Sequence, residues 1–282
     1  MSKRLLPADP IDGATQAIRA ADGLLICAGA GIGVDSGLPD FRGNEGFWRA
    51  YPALAASGVA FTAIASPAAF ERDPTRAWGF YGHRLALYRR TVPHAGFALL
   101  KSWSDRLEHG AAIYTSNVDG QFQRAGFADK RVCECHGSIH HLQCSEPCSD
   151  AIWTTGALEP ELDIADCRMT NALPRCPSCD ALARPNILMF GDGQWVEHRE
   201  AGQEHALRNW MASVQRPAIL EIGAGVAIST VRYFATRAAH DYRVPLIRIN
   251  PQLGDLPAGA HGIALGALDG LQAIDARLGP GA

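Results

Sequence analysis

The sequence predicts an α/β fold: a doubly wound, Rossmann-like parallel sheet carrying a smaller domain made of a helical insertion and a metal-binding module. Three observations lead there. Short apolar runs at Leu24–Ala28, Ala111–Tyr114, Ala218–Ile222 and Leu246–Ile249 have the unbroken hydrophobicity of strands buried on both faces. Helical patterns accompany them, at Ala14–Ala21, Pro93–Leu107, His198–Gln215 and Val226–His240. Each run then ends in polar or Gly-rich sequence: Gly29–Gly33, Thr115–Asp119, Gly223–Gly225 and Asn250-Pro251. Ligands of such sheets sit at the carboxyl ends of the strands, so one shared crevice is expected.

The first run leads into Cys27-Ala-Gly-Ala-Gly-Ile-Gly-Val-Asp-Ser-Gly-Leu-Pro-Asp-Phe-Arg42. Gly29, Gly31 and Gly33 allow a tight turn and a close backbone approach to a pyrophosphate. The spacing is not the common G-x-G-x-x-G, because the third position falls on Val34 or on Ser36. The loop runs on to Asp40, Phe41 and Arg42, placing an acid, an aromatic ring and a guanidinium near a nucleotide. An ordinary Gly-rich turn explains the glycines but not these three.

With 282 residues, the chain has room for one large domain or two modest ones. A hydrophobic content of 47% and a charged content of 20% are those of a soluble globular protein. The net charge of -3 gives no electrostatic case for nucleic acid or an anionic membrane as partner. Met1–Pro7 lacks the apolar core of a signal peptide, and no apolar run approaches the ~18 residues of a membrane span. A cytoplasmic protein is expected. In a reducing cytosol its eight cysteines are metal ligands or buried thiols rather than disulfides.

Two insertions interrupt the alternation. Residues 46–91 read as mostly helical, with one helix begun by Asp73-Pro74, a cap followed by Pro at the first helical position. Residues 137–184 are rich in Cys, Pro and turn residues. The expected division is a discontinuous nucleotide-binding domain, 1–45, 92–136 and 185–282, and a small domain of 46–91 and 137–184. Within the second insertion, Cys144-x-x-x-Cys148 and Cys176-x-x-Cys179 match a closed tetrahedral zinc site. The alternative is scattered buried thiols, and Cys133, Cys135 and Cys167 compete as ligands. Four thiolates leave zinc no open position, so the ion is structural and the chemistry lies elsewhere.

Candidates for that chemistry follow two of the strands. Asn117 and Asp119 stand at the end of the second run, where they either serve a reaction or cap the next helix. His136, in Cys135-His-Gly-Ser138, lies at the domain junction and is either a structural histidine or a base suited to neutral pH.

Together these motifs resemble one family, the sirtuins, NAD-dependent protein-lysine deacylases. Gly29-Ala-Gly-Ile with Ser36-Gly-Leu-Pro-Asp-Phe-Arg42 is similar to the family's cofactor loop, and Thr115-Ser-Asn-Val-Asp119 to its Thr-Gln-Asn-Ile-Asp element. His136-Gly-Ser138 resembles the catalytic His-Gly-Ser, and the four cysteines the structural zinc module. Arg184–Asp192 resembles the segment that pairs with the substrate peptide. Ile222-Gly-Ala-Gly225 and Ile249-Asn-Pro251 resemble the late cofactor loops. The elements occur in family order and span nearly the whole chain.

The resemblance implies a mechanism. The acyl-lysine carbonyl oxygen attacks C1′ of the nicotinamide ribose, and nicotinamide leaves. His136 then deprotonates the ribose hydroxyl that attacks the imidate, with Asn117 and Asp119 orienting the ribose and the nicotinamide pocket. Phe41 shields the reacting face from water and Arg42 pairs with phosphate. Free lysine, nicotinamide and O-acyl-ADP-ribose result. The implied cofactor contacts are Gly29, Ala30, Gly31, Asp40, Phe41, Arg42, Ser116, Asn117, Asp119, Gly223, Ala224, Gly225 and Asn250. Phe190 and Gly191 fall to the substrate, and acyl-lysine proteins are the implied partners. The chain departs from the family at Ser116 for Gln, Gly33 for Ser, Ala224-Gly225 for Thr-Ser and Asp192 for Glu.

Tyr81 and Arg84 share a helical face and can clamp one carboxylate, a pattern similar to that of the sirtuin branch that removes succinyl and malonyl groups. Trp78, Tyr81, Leu85 and Tyr88 equally make a core stripe. Two rival functions remain at this point: an NAD glycohydrolase or ADP-ribosyltransferase on the same fold, and an NAD-sensing module without turnover.

Overall fold

A computed structural model describes residues 9–40, 43–226 and 228–279. The chain opens with α1 (Pro10–Arg19), β1 (Gly23–Ala28) and a 3-10 turn at Ala30–Ser36. A helical run follows: α2 (Gly43–Ala50), α3 (Pro52–Ala56), α4 (Phe61–Ile64), α5 (Pro67–Arg72), α6 (Pro74–Arg90) and α7 (Ala95–Ser104). Next come β2 (Ala111–Thr115), α8 (Gln121–Arg124) and β3 (Val132–Glu134). The second insertion holds β4 (Gly137–Cys144), β5 (Ile152–Thr154), β6 (Leu162–Asp163), β7 (Arg168–Met169) and β8 (Ala183–Ile187). The chain closes with α9 (His198–Ser213), β9 (Pro217–Ile222), α10 (Thr230–Tyr242), β10 (Leu246–Ile249), β11 (His261–Ile263) and α11 (Ala267–Leu278).

The main sheet has the order β11-β10-β9-β1-β2-β3 and is parallel throughout. Its strand order reverses between β1 and β9, which opens a crevice beyond their carboxyl ends. Alternate side chains of each strand enter opposite cores. Leu24, Ile26, Ile113, Leu220 and Ile249 pack on Ile18, Phe97, Leu100, Leu271 and Ile274 of α1, α7 and α11. Leu25, Cys27, Ala112 and Ile219 pack on Leu207 and Trp210 of α9 and Val231 and Ala235 of α10. Burial on both faces explains why these strands are continuous apolar runs.

A third core lies between α6 and the sheet β5-β4-β8. Trp78, Phe80, Tyr81, Leu85 and Tyr88 meet Ile139, Leu142, Ile187 and Met189 there, and Trp78 Nε1 donates to Ala183 O at 2.9 Å. The boundary drawn between 184 and 185 falls inside β8, whose pairing with β4 runs from 183 to 187.

Several local signals extend the expected elements. Asp9 caps α1, its Oδ1 accepting from Ile11 N, so the helix starts at Pro10 rather than Ala14. Asp73 caps α6 as expected, accepting from Arg76 N. The sheet also has two edge strands, β3 and β11, that hydrophobic runs did not mark. No helix among the described residues is long and apolar enough to cross a membrane.

Candidate active site

The loops after β1 and β9 are knitted to each other. Gly31 N donates to Gly223 O at 3.0 Å, and a Cβ on Gly31 would stand 2.7 Å from Gly223 Cα. Gly223 itself has φ +63, in the left-handed region, and a Cβ there would meet Ile32 N at 2.3 Å. Gly29 is similarly closed in by Ala224 Cα at 2.7 Å. These glycines therefore allow loop to lie on loop, a role beside the cofactor approach expected from the sequence. Gly225 has no atom within 4 Å of such a Cβ, and Ala30 is exposed.

Asn250 is spent on the same scaffold. Its Nδ2 donates to Ala224 O at 2.9 Å, while its Oδ1 accepts from Gln252 N. Arg232 Nε also donates to Ala224 O, so the carbonyl of a residue lacking the family hydroxyl is doubly held. Behind it, Glu221 is fully buried and paired at 2.7 Å with Arg248, a long-range ion pair that nothing local in the sequence announces.

The end of β2 is tied to β1. Thr115 Oγ1 donates to Ala28 O at 2.9 Å and accepts from Asn117 N, and Asn117 Nδ2 donates to Gly29 O at 3.1 Å. Asn117 thus braces the Gly-rich loop while facing the cleft. Asp119 is buried, its Oδ1 accepting from Gln121 N at 2.9 Å, so it caps α8 as well as lining the cleft. Burial, reinforced by Glu134, outweighs that amide and Arg84 and raises its carboxyl to about 6.

His136 follows β3, its carbonyl accepting from Leu188 N at 3.0 Å. Burial lowers its pKa below 6.5, so the imidazole is neutral near pH 7 and able to take a proton. Its ring makes no hydrogen bond to any described residue and faces the cleft.

That cleft has a volume of about 360 Å³. It brings Ala30, Asp40, Ser116, Asn117, Asp119 and His136 together with Tyr81, Arg84 and Phe190. Gly29, Gly31, Gly191, Gly223, Ala224, Gly225 and Asn250 do not line it, and Phe41 and Arg42 lie outside the described residues. Of its apolar walls, Leu38, Val118, Ile187 and Met189 belong to motifs already singled out in the sequence, whereas Phe61 and Ile228 were missed. Their only signal was ordinary hydrophobicity.

Tyr81 and Arg84 both reach the cleft from α6. Burial pushes the Tyr81 phenol up to about 12, so it remains a hydrogen-bond donor. The Arg84 guanidinium carbon lies 5.3 Å from the Phe80 ring centre, 5.8 Å from Tyr81 and 5.4 Å from Tyr88. The core stripe and the charged clamp are therefore the same surface.

The wall from β8 is held by a buried ion pair. Arg184 donates to both oxygens of Asp192 at 2.8 Å, with side chains 1% and 0% exposed. Asp192 also accepts from Met189 N and Gln194 N, and Phe190 N donates to Ala65 O at 2.9 Å. Asp192, singled out as a departure near the peptide, is a structural anchor beneath the wall.

Cys144, Cys148, Cys176 and Cys179 converge with all sulfurs within 4.8 Å. The Cys144–Cys179 and Cys148–Cys176 sulfurs are 3.6 Å apart. Tetrahedral thiolates about 2.3 Å from zinc stand about 3.8 Å apart, so the donor set fits the ion. Backbone amides of Ser178 and Cys179 help draw the Cys176 thiol down to about 6. Cys133, Cys135 and Cys167 lie outside the cluster.

Comparison with known proteins agrees with this architecture. The Sir2 family profile matches residues 29–212. The NAD-dependent protein deacylase of Corynebacterium glutamicum is 31% identical over 91% of this chain and 90% of its own length. That of Pyrococcus furiosus is 35% identical over 58% of this chain. The mitochondrial NAD-dependent protein deacylase sirtuin-5 of Danio rerio is 33% identical over 60% of it. The last two matches cover 59% and 57% of those relatives, less than two thirds of their length. A crystal structure of a Sir2 homolog–NAD complex superposes with a TM-score of 0.71 at 22% identity, covering 95% of each chain. The fold, the cysteine cluster and the matched span lead to one conclusion: the chain belongs to the Sir2 family.

Proposed function

We propose that this protein is an NAD-dependent protein-lysine deacylase that favours acidic acyl groups such as succinyl and malonyl. One observation carries the reading: a half-buried neutral imidazole and a buried Tyr–Arg pair line the same cleft. NAD supplies ADP-ribose as acyl acceptor, with nicotinamide as the leaving group. Ala30, Asp40, Ser116, Asn117 and Asp119 are the residues placed to hold it along the cleft. Gly225 and Ala30 are the open points of the two knitted loops.

His136 acts as general base, accepting a hydroxyl proton at a ring nitrogen. The apolar walls keep bulk water from the reacting centre while the acyl group is transferred, one water then being consumed to release the lysine amine, and Phe190 and Leu188, 40% and 39% exposed, form the rim for the peptide. Tyr81 and Arg84 meet the carboxylate of the acyl chain. A hydrogen bond to a charged group contributes about 1.5–3 kcal/mol, enough for a selectivity of ten- to a hundredfold. The four thiolates would hold one zinc and join β4 to the chain before β8, with no part in the reaction. Such a cluster suits a reducing compartment, the cytoplasm being our reading.

The test compares kcat/KM for succinyl-, malonyl- and acetyl-lysine versions of one peptide, in wild type and Arg84→Met. Selective loss with the acidic acyl groups is expected. Equal losses would return Tyr81 and Arg84 to a packing role.

A further inference from the structure

We propose that His94 is a positioning residue of the cofactor loop: its imidazole ties the start of α7 to the carbonyl of Ile32 and so fixes the turn that carries Ala30 and Asp40 to the cleft. The proposal rests on the NAD reading of that cleft and is independent of which acyl group is removed. His94 is half-buried and stands just before α7. Its Nε2 lies 2.8 Å from Ile32 O and its Nδ1 3.0 Å from Gly96 N, while its own backbone N donates to Ser36 Oγ at 2.9 Å.

The two ring partners assign the tautomer. A backbone amide can only donate, so Nδ1 accepts from Gly96; a carbonyl can only accept, so Nε2 carries the proton toward Ile32. One end of the ring therefore caps α7 and the other end holds the loop. The ring is itself fixed by packing. The Phe97 ring, 1% exposed, meets it at 5.0 Å between centres and 61° between planes. A Cβ on Gly96 would stand 2.6 Å from His94 Cε1, so glycine there is what lets the imidazole fold back over the helix start.

The turn Ala30–Ser36 is thus held from two flanks. On the flank of β9 and β2, Gly31 N donates to Gly223 O and Asn117 Nδ2 to Gly29 O. On the other flank His94 takes Ile32 and Ser36, and Leu268 N of α11 donates to Asp35 Oδ2 at 2.8 Å. Ala30 at the head of the turn, and Leu38, Pro39 and Asp40 just past its end, line the cleft. Ile32 lies between them, with glycine on both sides at positions 31 and 33. Holding its carbonyl fixes a peptide plane where the neighbouring residues give the backbone its greatest freedom. A loop already held in shape loses less freedom when the cofactor binds.

His94→Asn separates the two ends of the bridge. Asparagine is a good cap, its Oδ1 replacing Nδ1 as acceptor for Gly96 N, but its side chain ends a ring-width short of Ile32 O. His94→Ala removes both ends. The assay is NAD binding to the zinc-loaded protein without peptide, by isothermal titration calorimetry, joined by steady-state kinetics and by hydrogen exchange of residues 30–38. In His94→Asn the Kd and KM for NAD should rise about fivefold, with kcat and the KM for acyl peptide moved by about twofold or less. Exchange across 30–38 should quicken in the same variant while its Tm stays near that of wild type. His94→Ala should show the same weakening of NAD together with a lower Tm.

A change of less than about twofold in the Kd for NAD in His94→Asn, or equal rises in KM for NAD and for peptide, would overturn the positioning role. If wild type binds no NAD, the NAD reading fails and this inference with it. If wild type binds NAD and both variants bind it equally well, only the inference fails. Nitrogen-15 NMR of the His94 ring in wild type needs no variant and decides the question even where a variant is less stable. A ring protonated at Nε2 and bare at Nδ1 is expected at neutral pH; the opposite tautomer or a charged ring would contradict the bridge.

Discussion

Asp192→Asn replaces a carboxylate by an amide of nearly the same shape, and the structure sets the size of the penalty. Arg184 is 1% exposed, its two hydrogen bonds to Asp192 are 2.8 Å long, and the carboxylate side chain is fully buried. The amide removes the negative charge and turns an NH₂ group toward one of the guanidinium donors. An uncompensated buried charge costs about 3–5 kcal/mol. For a chain of this size that corresponds to a Tm lower by about 6–20 °C. Asp192 also accepts from Met189 N and Gln194 N, so part of the loss should appear in the cleft wall as a raised KM for acyl peptide. Urea unfolding followed by tryptophan fluorescence gives the free energy directly. The paired replacement Arg184→Met with Asp192→Leu should recover most of the stability, since no charge is then left unmatched. A loss below about 1 kcal/mol in Asp192→Asn, or a double variant as unstable as the single one, would refute the reasoning.

Other predictions follow from the same geometry. Asp119 has a carboxyl raised to about 6 from an ordinary 3.8, so the native state binds the extra proton between those values. Wild-type stability therefore falls as pH rises through that window, and Asp119→Asn should gain up to about 3 kcal/mol on wild type above pH 6 but not below about pH 4, with activity lost. Thermal melts across pH would show a constant difference if burial is not the cause. Because burial lowers the His136 pKa, the acid limb of kcat/KM should lie below 6.5, and a limb above that value would place the base elsewhere. Cys176→Ser should lower bound zinc from one ion per chain and weaken the region from β4 to β8. Unchanged metal content by plasma emission spectroscopy would reject the four-thiolate site.

The parts legible in the sequence are those encoded locally. The four central strands are continuous apolar runs because both faces are covered, and the paired cysteines carry their own spacing. His136 and Asn117 could be found from the polar ends of strands, but their settings could not. The edge strands β3 and β11 each have three residues, and their extended form comes from one parallel neighbour rather than from their composition. Gly29 and Gly31 read as cofactor contacts in the sequence, and the further packing that requires them was not legible because it comes from Gly223 and Ala224, far along the chain. Asp192 was visible as a substitution, but its pairing with Arg184 depends on a turn no periodicity describes. The α6 stripe admitted two readings because a helix face can be core and cleft at once. Burial around Arg84 makes it both.

The central claim is that His136 serves an acyl-dependent reaction with NAD. The most direct measurement is nicotinamide release from NAD by wild type and by a folded, zinc-loaded His136→Ala variant, with and without succinyl-lysine peptide. The account predicts release that requires peptide and is accompanied by equal amounts of deacylated lysine and O-acyl-ADP-ribose, with no such products from the variant. Equal release without peptide would instead make the protein an NAD glycohydrolase, and a fully active variant would remove His136 from the mechanism.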